Sequence, residues 1–276
     1  MPRLNELQVY PRKVGGPRYG IELEMEGPGV PRVEPPTNWD SKRDGSLGPN
    51  GVEFVSRQAF NFDRTELMLR RMKQALDDSH TTPDCTVACS SHVHMNVQDL
   101  EVVQVLNIAT TYYILEDYIT RLAGPERQGN LFCLRLSDSE VPLERLRMSI
   151  EEGLFPRGIN EDVRSSALNL CSLATFGTLE FRAFRGVNDP MELLDWVTIL
   201  QKIRDFSLGF EDPAAIVQHF SIRGAHMFAA EVLGPDLIET IGPVSEEELY
   251  EGVFRVQWLA FDCDLSKLKE VRYAVF

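Results

Sequence analysis

The stretch Gly20-Ile21-Glu22-Leu23-Glu24-Met25-Glu26 alternates carboxylate and aliphatic side chains. Successive side chains leave a strand on opposite faces, so this segment reads as a half-buried strand. Its Ile21, Leu23 and Met25 belong to one face, and Glu22, Glu24 and Glu26 to the other. Two later segments repeat the pattern, His92-Val93-His94-Met95-Asn96-Val97 and Thr178-Leu179-Glu180-Phe181-Arg182-Ala183-Phe184. If the three polar faces line one sheet, carboxylates and imidazoles converge there. That donor set is what holding Mg²⁺ or Mn²⁺ beside a nucleotide requires.

Working outward, a strand over 18–26 is followed by a proline- and glycine-rich loop, 27–36, long enough for a lid. A short strand is predicted at 52–56 and a helix at 63–79, with Asp63 as N-cap and Glu66 three residues on. The histidine strand spans 87–97, and Asp99 caps a helix running to about 122. The pattern weakens over 123–160, apart from a helix at 143–152. Strands at 164–173 and 177–184 are joined by a turn. Helices follow at 190–208, 213–220 and 245–261, two of them opened by Asp-Pro. Strands early and helices late, with hairpins mixed among crossovers, give an α+β fold. The expected division is a catalytic sheet portion, 1–188, and a helical C-terminal portion, 189–276, packed on it.

The composition, 43% hydrophobic and 25% charged over 276 residues, is that of a globular protein with a full core. A net charge of −14 argues against nucleic acid or an anionic membrane as the main partner, though not against a nucleotide offset by local cations. No run approaches the eighteen or so apolar residues of a membrane span, and the start has no signal-peptide pattern. The five scattered cysteines form no CxxC pair and read as mostly buried thiols. A cytoplasmic setting is the expectation.

Each constellation also has a plain reading. Glutamates at 22, 24 and 26 could simply be a solvated strand face. Yet glutamate is a poor strand former and three like charges on one face repel, a cost that a divalent cation removes. His92 and His94 could be neutral core residues, but Ser90, Ser91 and Asn96 make that segment unusually polar. Glu180 and Arg182 could be an ion pair, or a metal carboxylate beside a phosphate-gripping guanidinium. Arg164 and Asn169, on the preceding strand, could face the same cleft. Asp44 and Ser46 fit a simple turn, whereas Glu53, between Val52 and Phe54, supplies a further strand acid. P-loop, dinucleotide-fold, zincin and nucleophile-elbow motifs are all absent.

In order, G-x-E-x-E, D-G-S-L with E-x-V-S, H-V-H, R-x-x-x-x-N and T-x-E-F-R resemble the amidoligase family over residues 20–184. That family is similar to a compact branch of the glutamine synthetase and glutamate–cysteine ligase superfamily. The resemblance implies a curved, mostly antiparallel sheet whose concave face holds ATP and Mg²⁺ or Mn²⁺. It implies that Glu24 and Glu53 hold a metal near the acceptor carboxylate, and that Glu22, His92 and Glu180 hold one bridging the phosphates. His94 would lie near the nucleotide, Arg182 and Arg164 would bind the transferring phosphoryl group, and Asp44 and Ser46 would adjoin the amine or acceptor. Asp44 would also take the amine's proton. A further acid at the acceptor-side metal is left open between Glu26, Asp44 and none.

The implied activity is ATP-dependent amide or isopeptide formation from small-molecule or peptide carboxylates and amines, through an acyl phosphate. Oligomeric assembly stays open. Two other readings stand beside it. A dinuclear metal hydrolase would use Glu22, Glu24, His92 and Glu180 but leave both arginines without a necessary role. A non-catalytic binding protein on the same fold would turn one or more of Glu24, His92 or Glu180 into the core.

Overall fold

A computed structural model describes residues 1–159 and 163–270. Six strands form one antiparallel sheet: β1 (Tyr19–Glu26), β2 (Trp39–Lys42), β3 (Gly51–Ser56), β4 (Ser90–Asn96), β5 (Leu168–Asn169) and β6 (Thr178–Arg185). Their order is β2-β3-β1-β4-β6-β5. The helices are α1 (Leu4–Leu7), α2 (Phe62–Asp78), α3 (Val102–Ala123), α4 (Val141–Glu151), α5 (Ser172–Thr175), α6 (Leu193–Ser207), α7 (Pro213–Arg223), α8 (Ala225–Leu233), α9 (Pro235–Ile241) and α10 (Glu246–Arg255).

The α+β class follows from this architecture, but the curved glutamine-synthetase-like sheet does not. The sheet is open and not strongly curled. Its outermost strands, β2 and β5, have four and two residues, too little edge to wrap the sheet round on itself.

Alternation builds the core. Ile21, Leu23, Met25, Val93, Met95, Leu179 and Phe181 are fully buried, and the helices cover this face. Tyr112 of α3 lies 5.0 Å from the Phe181 ring, and Trp196 of α6 lies 5.5 Å from Phe184. Phe184 reaches that face because β6 carries a bulge. Ser91 pairs with Phe184 and Val93 with Phe181, so Arg182 and Ala183 together oppose His92. Strict period two would have placed Phe184 beside Glu180.

The C-terminal helices build outward from α3. Gly252 of α10 packs against the Ile114 backbone, Tyr118 donates to the Gly242 carbonyl, and Arg121 pairs with Glu248 at 2.7 Å. Among the described residues no helix is long and apolar enough to cross a membrane.

Several boundaries differ from the sequence reading for local reasons. The α2 cap is Asn61, whose side chain accepts the Arg64 N–H, rather than Asp63. Glu101 and Gln104 form a capping box at α3, leaving Asp99 to accept from Gly16. The strand expected at 164–173 contracts to the two residues of β5, because Ser172–Thr175 turn into α5. Residues 258–262 form a π-helical turn after α10 rather than its continuation. Two of the five free cysteines, Cys89 and Cys133, are buried, and the other three are half-buried.

Candidate functional site

Strand register sets the polar face. Glu22 lies opposite His92, His94 opposite Glu180, and Glu180 opposite Asn169. One rung further along, Lys42 lies opposite Glu53, and Glu53 opposite Glu24. Three strands remote in sequence therefore deliver Glu22, His92, His94, Glu180 and Arg182 to one place.

Glu22 Oε2 is 3.0 Å from His92 Nδ1, and its Oε1 is 3.5 Å from His94 Nε2. Burial alone would raise its pKa, but the hydrogen bonds and charge of the two histidines hold it well below the ordinary range. Glu180, 5% exposed, accepts from Asn169 and Ser172 through Oε2, at 2.7 and 2.6 Å. Its Oε1 accepts from Arg182 Nη1 at 2.6 Å. Burial opposes ionisation here too, and the charges of His94, Arg182 and His92 outweigh it, lowering the pKa. His94 Nδ1 meets the Thr178 hydroxyl at 3.1 Å, and Phe176 stands edge-on to its ring. Burial would lower the His94 pKa, but the Glu22 hydrogen bond and the charges of Glu180 and Glu22 raise it.

The tautomer of His92 follows from its neighbours. Ser90 gives its backbone N–H and its hydroxyl proton to Glu24 Oε2, at 2.8 and 2.6 Å. A serine has one hydroxyl proton, so Ser90 Oγ accepts from His92 Nε2–H across 2.7 Å. Nδ1 lies 3.0 Å from Glu22 Oε2 and 3.8 Å from Glu180 Oε1, so a proton on it goes to Glu22, and without one its lone pair faces both carboxylates. Arg182 Nη1 approaches the same lone pair only at 3.4 Å. A metal ion replacing that Nδ1 proton would meet the same three atoms. Glu22, His92 and Glu180 each offer a ligand atom, all within 4.8 Å of one another. Ser90 orients the His92 ring from the other side, through Nε2.

The remaining expected residues divide. Glu24 and Glu53 are buried at 6% and 5% exposure, and each is already engaged, Glu24 by Ser90 and Glu53 by Lys42 at 3.1 Å. Burial, then the nearby Glu22 charge, pushes the Glu53 carboxyl up to about 7. Asp44 and Ser46 sit in the loop after β2, where Asp44 accepts both the amide and the hydroxyl of Ser46. Those hydrogen bonds lower the Asp44 pKa. Glu26 braces the same loop by accepting the Gly48 N–H at 2.7 Å. Asn169 enters the cluster through Glu180. Arg164 does not share the strand of Asn169. It lies on an exposed turn ahead of β5, and no contact with the cluster is seen among the described residues.

Sequence reasoning missed three residues. Ser172 reaches Glu180 from α5, a turn that reads as strand. Lys42 lies on β2, whose Trp39-Asp40-Ser41-Lys42 has no apolar alternation to reveal it. Arg127, 1% exposed, donates from Nη2 to the Arg182 carbonyl at 3.0 Å and from Nε to the Ala183 carbonyl at 3.2 Å. It holds the bulge that aims Arg182.

Beside the cluster lies a cavity of about 920 Å³, whose lining includes Tyr10, Arg12, Lys13, Arg18, Phe176 and Thr178. Thr178 and Phe176 connect it to His94. Gln98 forms its floor, accepting from Val14 and donating to the carbonyls of Arg12 and Phe176.

An open antiparallel sheet thus carries a Glu-His-Glu group that could hold a metal ion, beside a cavity whose lining includes Arg12, Lys13 and Arg18. Residues 50–204, more than half of the chain, match the family model described as "Putative amidoligase enzyme". The chain belongs to this amidoligase family, and an amidoligase-type enzymatic function goes with that membership. The sequence matches no curated protein. Glu53, His92, His94, Asn169, Glu180 and Arg182 fall inside the matched span. Glu22, Glu24, Lys42 and Asp44 precede it and join the site by strand pairing and loop placement.

Proposed function

We propose that the chain is an ATP-dependent carboxylate–amine ligase, related in chemistry to the glutamine synthetase and glutamate–cysteine ligase superfamily although its sheet is open. The single observation that carries the reading is His92 Nδ1 held against two carboxylates, with Arg182 anchored alongside. Glu22, His92 and Glu180 would hold a divalent cation, which when bound supplies charge neutralisation for phosphate oxygens. The cavity beside His94 would take the nucleotide, its rim arginines and lysine meeting phosphate charge and Tyr10 and Phe176 offering apolar surface.

In this reading the acceptor carboxylate attacks the γ-phosphorus of ATP and ADP leaves, giving an acyl phosphate. Arg182 binds the phosphoryl oxygens in flight, and catalysis is mainly positioning and electrostatics. An amine then displaces phosphate to form the amide. Asp44, kept ionised by Ser46, is the group on this chain suited to take the amine's proton. The 27–36 loop, which contains a 3₁₀ turn at Val30–Arg32, would help keep water from the acyl phosphate.

The test has two parts. Saturating MgATP should raise the Tm of the chain, by several degrees at about 100 times Kd. ADP release should then appear with some mixture of pooled carboxylates and amines, and Glu180→Gln should abolish it. A Tm indifferent to nucleotide would refute the ligase and leave the hydrolase and the non-catalytic binding protein, whereas activity surviving Glu180→Gln would refute the metal assignment.

A further inference from the structure

The second pair of acids, Glu24 and Glu53, lies on one rung of the sheet, and that rung does not end in an empty edge. Lys42, their neighbour on β2, faces Glu53 in register and places Nζ 3.1 Å from Glu53 Oε2. A divalent cation bound by these carboxylates would sit roughly 2.0–2.6 Å from their oxygens, in the space the ammonium already contacts. The ammonium also lies within the charge field of Glu22 and Asp44, so it serves the whole acidic end of the site. On the other side, Glu24 Oε2 is taken by the amide and hydroxyl of Ser90. Both carboxylates thus already have protein partners in the space a second ion would need.

We infer that Lys42 supplies, as a fixed ammonium, the positive charge at Glu53 and Glu24 that a second metal ion would otherwise supply. Without nucleotide the site therefore takes one divalent cation per chain, at Glu22, His92 and Glu180. This rests on the metal site of the ligase reading and narrows it. Lys42 reaches in from an exposed stem on an edge strand, so replacing it leaves the core untouched.

The test is a Mn²⁺ titration of the full chain without nucleotide, with free ion followed by electron paramagnetic resonance. The native chain should bind one Mn²⁺. Lys42→Met, which keeps the stem and removes the charge, should bind two, and adding Glu53→Gln should return the count to one. Two ions in the native chain, or one in Lys42→Met, would overturn the inference while leaving the ligase reading standing. No Mn²⁺ on the native chain would remove the metal site itself, and the inference with it. The native count decides the matter even if a variant folds poorly.

Discussion

Replacing Arg127 with Met keeps a long apolar stem and deletes the guanidinium behind the β6 bulge. The native group is 1% exposed and donates to the carbonyls of Arg182 and Ala183. A hydrogen bond from a charged donor is worth about 1.5–3 kcal/mol, and a buried acceptor left without a partner costs about 1–3 kcal/mol. Relief of the buried charge offsets part of the loss, so the net destabilisation should be about 3 kcal/mol. In a chain of this size each kcal/mol moves Tm by roughly 2–4 °C, giving a fall of about 6–12 °C. The bulge also aims Arg182 at Glu180, across 2.6 Å. Mn²⁺ affinity should therefore fall about tenfold, the lower end for loss of an orienting partner. Thermal unfolding by circular dichroism and a Mn²⁺ titration read the two effects. A Tm within about 2 °C of the native chain, with unchanged Mn²⁺ affinity, would refute the assignment of the bulge to Arg127.

Ser90→Ala frees His92 Nε2 to change tautomer and should weaken Mn²⁺ binding about 10–100-fold, with Ser90→Thr restoring it. Glu116, buried on α3, is pushed up from 4.5 to about 8 by burial. Its folded pKa is the higher one, so its contribution is intact below 4.5 and lost as the pH rises through 8. Glu116→Gln can still accept the Leu136 N–H, and should reduce the stability lost between those limits by a few kcal/mol, read from urea midpoints across pH. Gly252→Ala would set a Cβ 2.5 Å from the Ile114 carbonyl oxygen and 2.8 Å from its Cα. Neither can yield without shifting α3 from α10, so a loss of about 1–3 kcal/mol is expected in the same melts.

The residues of the site were largely legible because a period of two depends only on neighbours in sequence. Glu22, His92, His94 and Glu180 could be assigned to polar faces before any pairing was known. What alternation cannot carry is which strands pair, so the sheet order and the rung joining Lys42, Glu53 and Glu24 emerge only in three dimensions. The bulge is hidden for the same reason, since it depends on β4 offering one residue where β6 offers two. Curvature came from the resemblance, not from the residues, and the open sheet corrects it. The strand expected at 164–173, which would carry Arg164, holds only at Leu168–Asn169. The polar turn after Asn169, where Ser172 bends back to Glu180, ended that strand early.

Arg127 lies just beyond Gly124, where α3 stops, and Arg185 at the other end of the bulge donates to the Leu122 carbonyl of that helix. Arg127, in the turn that follows α3, and the bond from Arg185 to Leu122 therefore tie this end of β6 to the terminus of the most deeply buried helix. Recoil from a ligand pulling on Arg182 passes into the interior and not into a surface loop. The stiffness of the phosphate-facing side of the cleft is in this sense borrowed from α3, and amide exchange at the bulge should slow and quicken with that helix.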